Sequence, residues 1–481
     1  MQLNIKRVIA FTLLVLLLIS SSFVPTGMSI GFIGAVLIAV MIFTLLFFWF
    51  DGRHGDQRNW ASLTVLFVFG YIIVHFQLAL LLYFGFEFIS DFQIWLLWAD
   101  EDVVNKSVAF SALGLIAFYT GHLSATTKSN NYDKTSDNES ASVFFLLAVS
   151  YISYLAFFVS SGSYMKGAYY AGDASSYSNY LYLIFNGSLM SAIIIKLRYI
   201  SSLEIANVSP IKYVSYFGLP LVLLVGWHLL FSSYVGDRGP ILSYVLLCSS
   251  LYFYRVAKMN FVRLVVILLV GSIAFTAMKE VRTRDASLSY QERASQQQES
   301  NSKFVDENIP GSSLIELAYS GRAFNHALAN VPENYNYRYG YFQIMNVVAI
   351  IPGLGGVYWK VFGDSEARYN GSSGFITFLI QGEQPTYGDG TSTVADLYLD
   401  FGIFGIVIGL FIFGLFVAKF EHQLYQGRPD SIFSWIAALT FLSTALYIGR
   451  SSITLNLQAI FLIYVMIKLN SFIMLTLRRH T

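Results

Sequence analysis

Two arginines stand on short polar turns between apolar runs: Arg238 in Gly236-Asp237-Arg238-Gly239-Pro240, and Arg450 in Gly449-Arg450-Ser451-Ser452. Arg282 and Arg284 follow directly after another apolar run. A guanidinium stays charged at any physiological pH and presents a planar fork of donors that matches phosphate oxygens. Several of them at one membrane face suit a diphosphate carried on a lipid; the competing role is anchoring helix ends among lipid headgroups. Candidate bases cluster late in the chain as Glu383, Asp389 and Asp396, with His326 the single histidine of the same polar region. His326 also reads as an ordinary histidine on a surface helix. Asp396 follows the run Gly388-Asp389-Gly390-Thr391-Ser392-Thr393, which leads straight into an apolar segment. Ser392 or Thr393 can cap that helix, leaving backbone N–H groups pointing outward. Asp396 then falls in the first turn, within reach of a sugar hydroxyl, where the helix dipole favours its ionised form. The competing role is capping plus a dipole-stabilised acid. Arg322 and Tyr398 complete the candidate substrate contacts.

These residues need a scaffold, and the composition says what kind. Apolar residues make up 55% of the 481 and charged residues 12%, about half the share in soluble domains. Twelve apolar runs approach the roughly 20 residues that cross a bilayer core. They cover 8–24, 28–50, 61–84, 103–123, 142–161, 180–199, 213–235, 240–256, 261–278, 396–418, 431–449 and 453–475. The first resembles a signal peptide but is long and closely followed by the second, so it is read as an uncleaved helix. The expectation is an all-α polytopic membrane protein of about 12 transmembrane helices: a nine-helix bundle over 1–278, a large polar loop over 279–393, and a three-helix bundle over 394–481.

Orientation follows from the basic residues. With the N-terminus in the cytoplasm, seventeen Lys and Arg fall on inside segments and four on short outside ones, Lys106, Lys166, Arg238 and Arg450. The long loop, which holds the other nine of the thirty, then faces out. Within it, 285–303 has too few apolar residues to pack. Residues 312–330 have the spacing of a short helix. The apolar run 341–362 is broken at Pro352-Gly353-Leu354-Gly355-Gly356 and reads as a re-entrant or interfacial segment. The alternation Tyr335-Asn336-Tyr337-Arg338-Tyr339-Gly340-Tyr341 could stack on sugar rings or form an interfacial aromatic belt. His75 and His228 lie inside apolar runs, as proton relays or as packed histidines.

Other chemistry is poorly supported. Cys248 is the only cysteine, so a disulfide framework and a Cys-based metal site are both excluded. There is no P-loop, His-Glu-x-x-His, nucleophile elbow or Cys–His cluster, and neither ATP-driven nor zinc-dependent chemistry is expected. A net charge of +1 gives no case for nucleic acid.

The turn opening at Arg238, the single large late loop, the tail from Ser392 through Phe401-Gly402-Ile403-Phe404-Gly405 and the Arg before the last run together resemble the bacterial O-antigen and capsule repeat-unit polymerases of Wzy type. The resemblance implies a GT-C-like glycosyltransferase in the bacterial cytoplasmic membrane with its active site on the outer side. It implies undecaprenyl-diphosphate-linked oligosaccharide as donor and acceptor, membrane lipid and a chain-length regulator as partners, and no cofactor or metal. The related O-antigen ligases carry a His-Asn pair where this chain has Ala395-Asp396. A transporter is the rival of another class, but transporters place charge near the bilayer midplane, and here the charges sit at the ends of the runs.

Overall fold

A computed structural model describes residues 2–51, 58–85, 97–125, 142–165, 176–203, 208–280, 292, 317–351, 353–362, 371–385, 388–426 and 431–480. Among these there is no strand, and each of the twelve apolar runs coincides with helix. The long elements are α1 Gln2–Ser20, α2 Ile30–Phe50, α3 Leu63–Tyr83, α4 Glu101–Ser124, α5 Phe144–Ser160, α6 Ser176–Ser202, α7 Leu219–Val235, α8 Arg238–Leu251 and α9 Phe261–Glu280. Four short helices follow, α10 Arg322–Asn330, α11 Tyr341–Val348, α12 Leu354–Phe362 and α13 Ser372–Gln381. The chain ends with α14 Thr393–Gln426, α15 Ile432–Thr444 and α16 Asn456–His480. Among the described residues, seven helices are long and apolar enough to cross a membrane, and five shorter apolar helices accompany them. The protein is a multi-pass membrane protein.

The centre of the bundle is the pair α4 and α14. A Cβ added to Gly121 would lie 2.0 Å from the Phe411 carbonyl, and one on Gly414 would lie 2.2 Å from that of Phe118. Only glycine admits backbones this close, which is how helices associate where lipid removes the hydrophobic drive between them. Phe67, Phe118 and Phe413 fill the space beside the pair, with centroids 4.5 to 6.0 Å apart.

One end of the bundle is closed by cations on helix C-termini, where unpaired carbonyls collect. Lys6 Nζ donates to Phe50 O at 2.8 Å, and Arg7 to Leu123 O and Ala125 O at 3.2 and 3.4 Å. Arg58 donates to Phe48 O and Asp51 O, and Arg255 to Gln426 O at 2.9 Å. The same end buries a three-helix polar tie. The Thr64 hydroxyl bonds His122 Nε2 at 2.9 Å and donates to Glu421, whose carboxylate lies 3.6 Å from the His122 ring. Each member is satisfied by another helix, as polar groups inside a membrane bundle must be. The opposite end carries α10 to α13, and the candidate site is there.

Candidate functional site

The site is built on a break in α14. Phe401 (φ −138°, ψ 17°) and Gly402 (φ 62°, ψ −147°) leave helical geometry, separating the half-helix 393–400 from the apolar remainder. Gly402 occupies the left-handed region open to glycine, and the Tyr337 ring would lie 3.1 Å from any Cβ placed there. The carbonyls that the break exposes are paired from the loop: Arg338 N donates to Leu399 O and Tyr339 N to Asp400 O, both at 2.9 Å. Irregular backbone at such a depth persists only where protein or water covers it.

Ser392 caps the half-helix, its hydroxyl accepting from Ala395 N at 3.2 Å. Thr393 ties it to the turn bearing Arg450, donating to Ile448 O at 2.5 Å and Ser451 O at 2.8 Å. Asp396 stands in the first turn, but it is not open to a substrate: it is 1% exposed. Its Oδ1 accepts from Ser372 Oγ at 2.5 Å, and its Oδ2 from Gln343 Nε2 at 2.6 Å and Ser452 Oγ at 2.7 Å. The expected sugar-accessible base is therefore a carboxylate enclosed by three neutral donors from α13, α11 and the turn before α16. The ring closes on itself. Ser452 bonds Thr454 at 2.8 Å, Thr454 donates to Gln343 Oε1 at 3.3 Å, and Asn346 Nδ2 bonds both hydroxyls at 3.1 and 3.0 Å.

Asp400, one turn further on, is fully buried. Its two oxygens accept from Phe342 N at 3.2 Å and Gln343 N at 3.1 Å, so it caps α11 from a distant part of the chain. A carboxylate on the N-terminal amides of a helix is favourable twice over, by hydrogen bonding and by the dipole. Asp396 and Asp400 thus both act on α11, one through a side chain and the other through the backbone.

Asp389 forms a second centre beside the first. It is ion-paired with Arg322, accepts from Gln381 Nε2 at 2.5 Å, and donates its own N–H to Thr377 Oγ1 at 2.9 Å. Ser372, Thr377 and Gln381 belong to α13, so one ten-residue helix serves both acids. Arg322 reads as the partner of a buried carboxylate as much as a substrate contact. His326, on the same helix as Arg322, is buried at 6% exposure rather than on a surface. Glu383, just beyond α13, is the exposed member of the four candidate bases.

The arginine turns share this end. α8 packs on α15, and Arg255, past its C-terminus, reaches Gln426, so its N-terminal Arg238 lies at the end that bears Thr393. Asp237 caps α8 by accepting from Gly239 N at 3.3 Å, and Arg238 is half-buried. Arg450 stacks its guanidinium over the Tyr447 ring, 5.7 Å from the centroid. Its turn is seated on α3, where a Cβ at Gly70 would meet Leu446 O at 2.3 Å. Arg282 and Arg284 lie outside the described residues, as does nearly all of 285–303.

The aromatic candidates are mostly packed. Tyr398 donates to Val331 O at 2.9 Å, with its ring edge-on to Phe324 and Tyr337 at 5.6 and 5.7 Å. Tyr335 packs edge-on against Phe375 at 5.5 Å, and Arg338 stacks on that same ring at 5.4 Å. Of the tyrosine alternation only Tyr339 is exposed, so no open aromatic groove runs along it. His228 is buried, bonded to Tyr154 at 3.1 Å and ringed by Phe185 and Tyr244, which is a packing role.

Gln343, Ser372, Ser452 and Asp400 went unrecognised as site residues in the sequence. Asp400 had a signal, since it lies four residues after Asp396 on the same helix face. The other three are ordinary polar residues whose importance comes only from the acid they meet.

No curated protein and no solved structure matches the chain. The family model of the O-antigen polysaccharide polymerase Wzy matches residues 7–479, nearly the whole length and including every element of the site. The protein therefore belongs to the Wzy family of O-antigen polysaccharide polymerases.

Proposed function

We propose that the protein joins polyprenyl-diphosphate-linked oligosaccharide repeat units into a surface polysaccharide on the outer face of the bacterial cytoplasmic membrane. The observation that carries this reading is the half-helix 393–400. It is broken from its membrane helix, held under the loop by Asp396 and Asp400, and tied by Thr393 to the turn that presents Arg450. Backbone that leaves helical geometry inside a membrane bundle persists only where protein or water covers it, and this half-helix lies against the turn that carries Arg450.

In this reading all twelve helical runs cross the bilayer in a GT-C-like arrangement, 1–278 and 394–481 form the bundle, and 279–393 covers the substrate outside. A hydroxyl of one repeat unit attacks the anomeric carbon of the other chain. The new C–O bond forms as the bond from that carbon to the diphosphate breaks, and the lipid diphosphate leaves with the electron pair. Diphosphate is a good leaving group, so the step needs positive charge for the departing oxygens rather than a general acid. Arg238 and Arg450 supply that charge, Arg282 and Arg284 are the further candidates from the sequence, and no metal is required. The attacking hydroxyl gives its proton to Glu383, the exposed one of the candidate bases. Asp396 does not take the proton; with Gln343 and Ser452 it fixes the turn carrying Arg450. A chain-length regulator would meet the protein on the same outer side.

The test uses purified protein in liposomes supplied with a lipid-linked repeat unit. Longer lipid-linked oligosaccharide is the expected product. Movement of the unit across the bilayer without elongation would make the protein a transporter, and transfer only to an added second glycolipid acceptor would make it a ligase. Arg238→Lys and Arg450→Lys keep the charge but lose the fork. Each is expected to reduce elongation at least about tenfold, the worth of one charge-assisted contact. Full elongation by both variants would remove these arginines from the site.

A further inference from the structure

One surface at the site has no role in the scheme above. α11, α12 and the link between them carry Ile344, Val347, Ile351, Leu354, Val357 and Val361, spaced three or four residues apart and 43–65% exposed. The opposite face of α11 is fixed to the polar hub through Phe342 N, Gln343 and Asn346. A further tie runs from α16, where Gln458 Nε2 donates to Ala349 O at 2.9 Å. α11 is therefore held by a polar underside and carries an apolar outer side, which the exposed residues of α12 extend. An aqueous loop does not keep a continuous apolar stripe exposed, and such a surface marks a lipid or partner contact.

The surroundings identify the occupant. Phe401 lies against the start of α11, 2.9 Å from where a Gly340 Cβ would stand, and is 48% exposed. From there Phe404, Ile408, Ile412 and Phe416 continue along α14 as exposed apolar residues. The stripe is thus continuous with the lipid-facing side of a membrane helix. From the polar underside of α11, Asn346 bonds Ser452, two residues from Arg450. A ligand with its anionic head at Arg450 starts from the end of the bundle that carries this stripe.

We infer that the exposed face of α11 and α12, with Phe401 and Phe404, seats the isoprenoid chain of the lipid-linked substrate. The inference rests on the lipid-diphosphate reaction proposed above. The seat shares its backbone with Gln343, so a chain lying on it bears on the element that Asp396 holds.

The experiment compares one repeat unit on a long polyprenyl diphosphate and on a short isoprenyl diphosphate too small to extend along the stripe. Wild-type protein in liposomes of constant lipid composition should elongate both, with the lower KM for the long carrier. Val347→Ser together with Val357→Ser should raise the KM for the long carrier about tenfold, the worth of an aliphatic side chain in apolar contact. The short carrier should change by less than about twofold. Equal loss with both carriers would show that bulk lipid occupies the stripe and would overturn the inference, as would no loss with either. If the double variant does not fold, a photoreactive long-chain isoprenyl diphosphate is used on the wild-type protein. Label within 341–362 supports the seat, and label confined to other segments refutes it. Failure of wild-type protein to elongate either carrier would instead refute the proposed function, and the seat with it.

Discussion

Gln343 Nε2 and Asp396 Oδ2 are 2.6 Å apart although 53 residues separate them in the chain. This bond joins the loop to the broken helix, and it is the point where a change in one should be felt in the other. Gln343 is neutral, so the pair is a charge-assisted hydrogen bond between an acceptor-only carboxylate and an amide donor.

Gln343→Glu would place a second carboxylate against Asp396, and like charges at such a distance cannot both ionise. The variant should lose about 2 kcal/mol or more of stability, the scale of a buried polar mismatch, with most of its polymer. Gln343→Glu combined with Asp396→Asn restores one donor and one acceptor. It should recover at least half of the lost thermal midpoint in detergent, and a double variant no better than the singles would show that the bond does not matter.

Asp396→Asn and Glu383→Gln separate positioning from proton transfer. The first keeps shape but replaces one acceptor oxygen with an NH2 donor among three donors, so it should lower the thermal midpoint and the polymer together, by about 1–3 kcal/mol in stability. The second alters an exposed side chain, so the midpoint should stay within about 0.5 kcal/mol equivalent while elongation falls about a hundredfold. Normal elongation by Glu383→Gln would end its assignment as the base.

Arg322 and Asp389 form an ion pair whose carboxylate side chain is fully buried. Removing one partner leaves the other charge uncompensated, at a cost of about 3–5 kcal/mol. Arg322→Met should therefore be much less stable than the double variant with Asp389→Leu, which removes both charges. A double variant that is stable yet makes no polymer would mean that the pair contacts substrate as well.

The basic asymmetry predicts both termini in the cytoplasm and the loop outside. A reporter fused after Ser300 should behave as extracytoplasmic. Cytoplasmic behaviour there would invert the membrane orientation and place the arginine turns on the wrong side for an outer-face polymerase.

Much of this was legible in the chain itself. Apolar runs of bilayer length, the Pro-Gly interruption after Ile351 and the capping run ending at Ser392 are local signals, because hydrophobic length and cap chemistry are properties of neighbouring residues. They determined the helices, the break between α11 and α12, and the position of Asp396 at a helix start. Burial of Asp396 was not legible, since its partners Ser372, Gln343 and Ser452 are 24, 53 and 56 residues away. The same distance effect moved His326 from an expected surface helix into the interior, where α10 packs on α4. The break at Phe401-Gly402 was hidden too, because the residues after Asp400 are uniformly apolar and glycines are common in membrane helices. What opens it is the pairing of Arg338 and Tyr339 with Leu399 and Asp400. A sequence states which groups are polar, but in a membrane bundle their partners come from other helices, and only the packing of those helices decides which acid is exposed and which is enclosed.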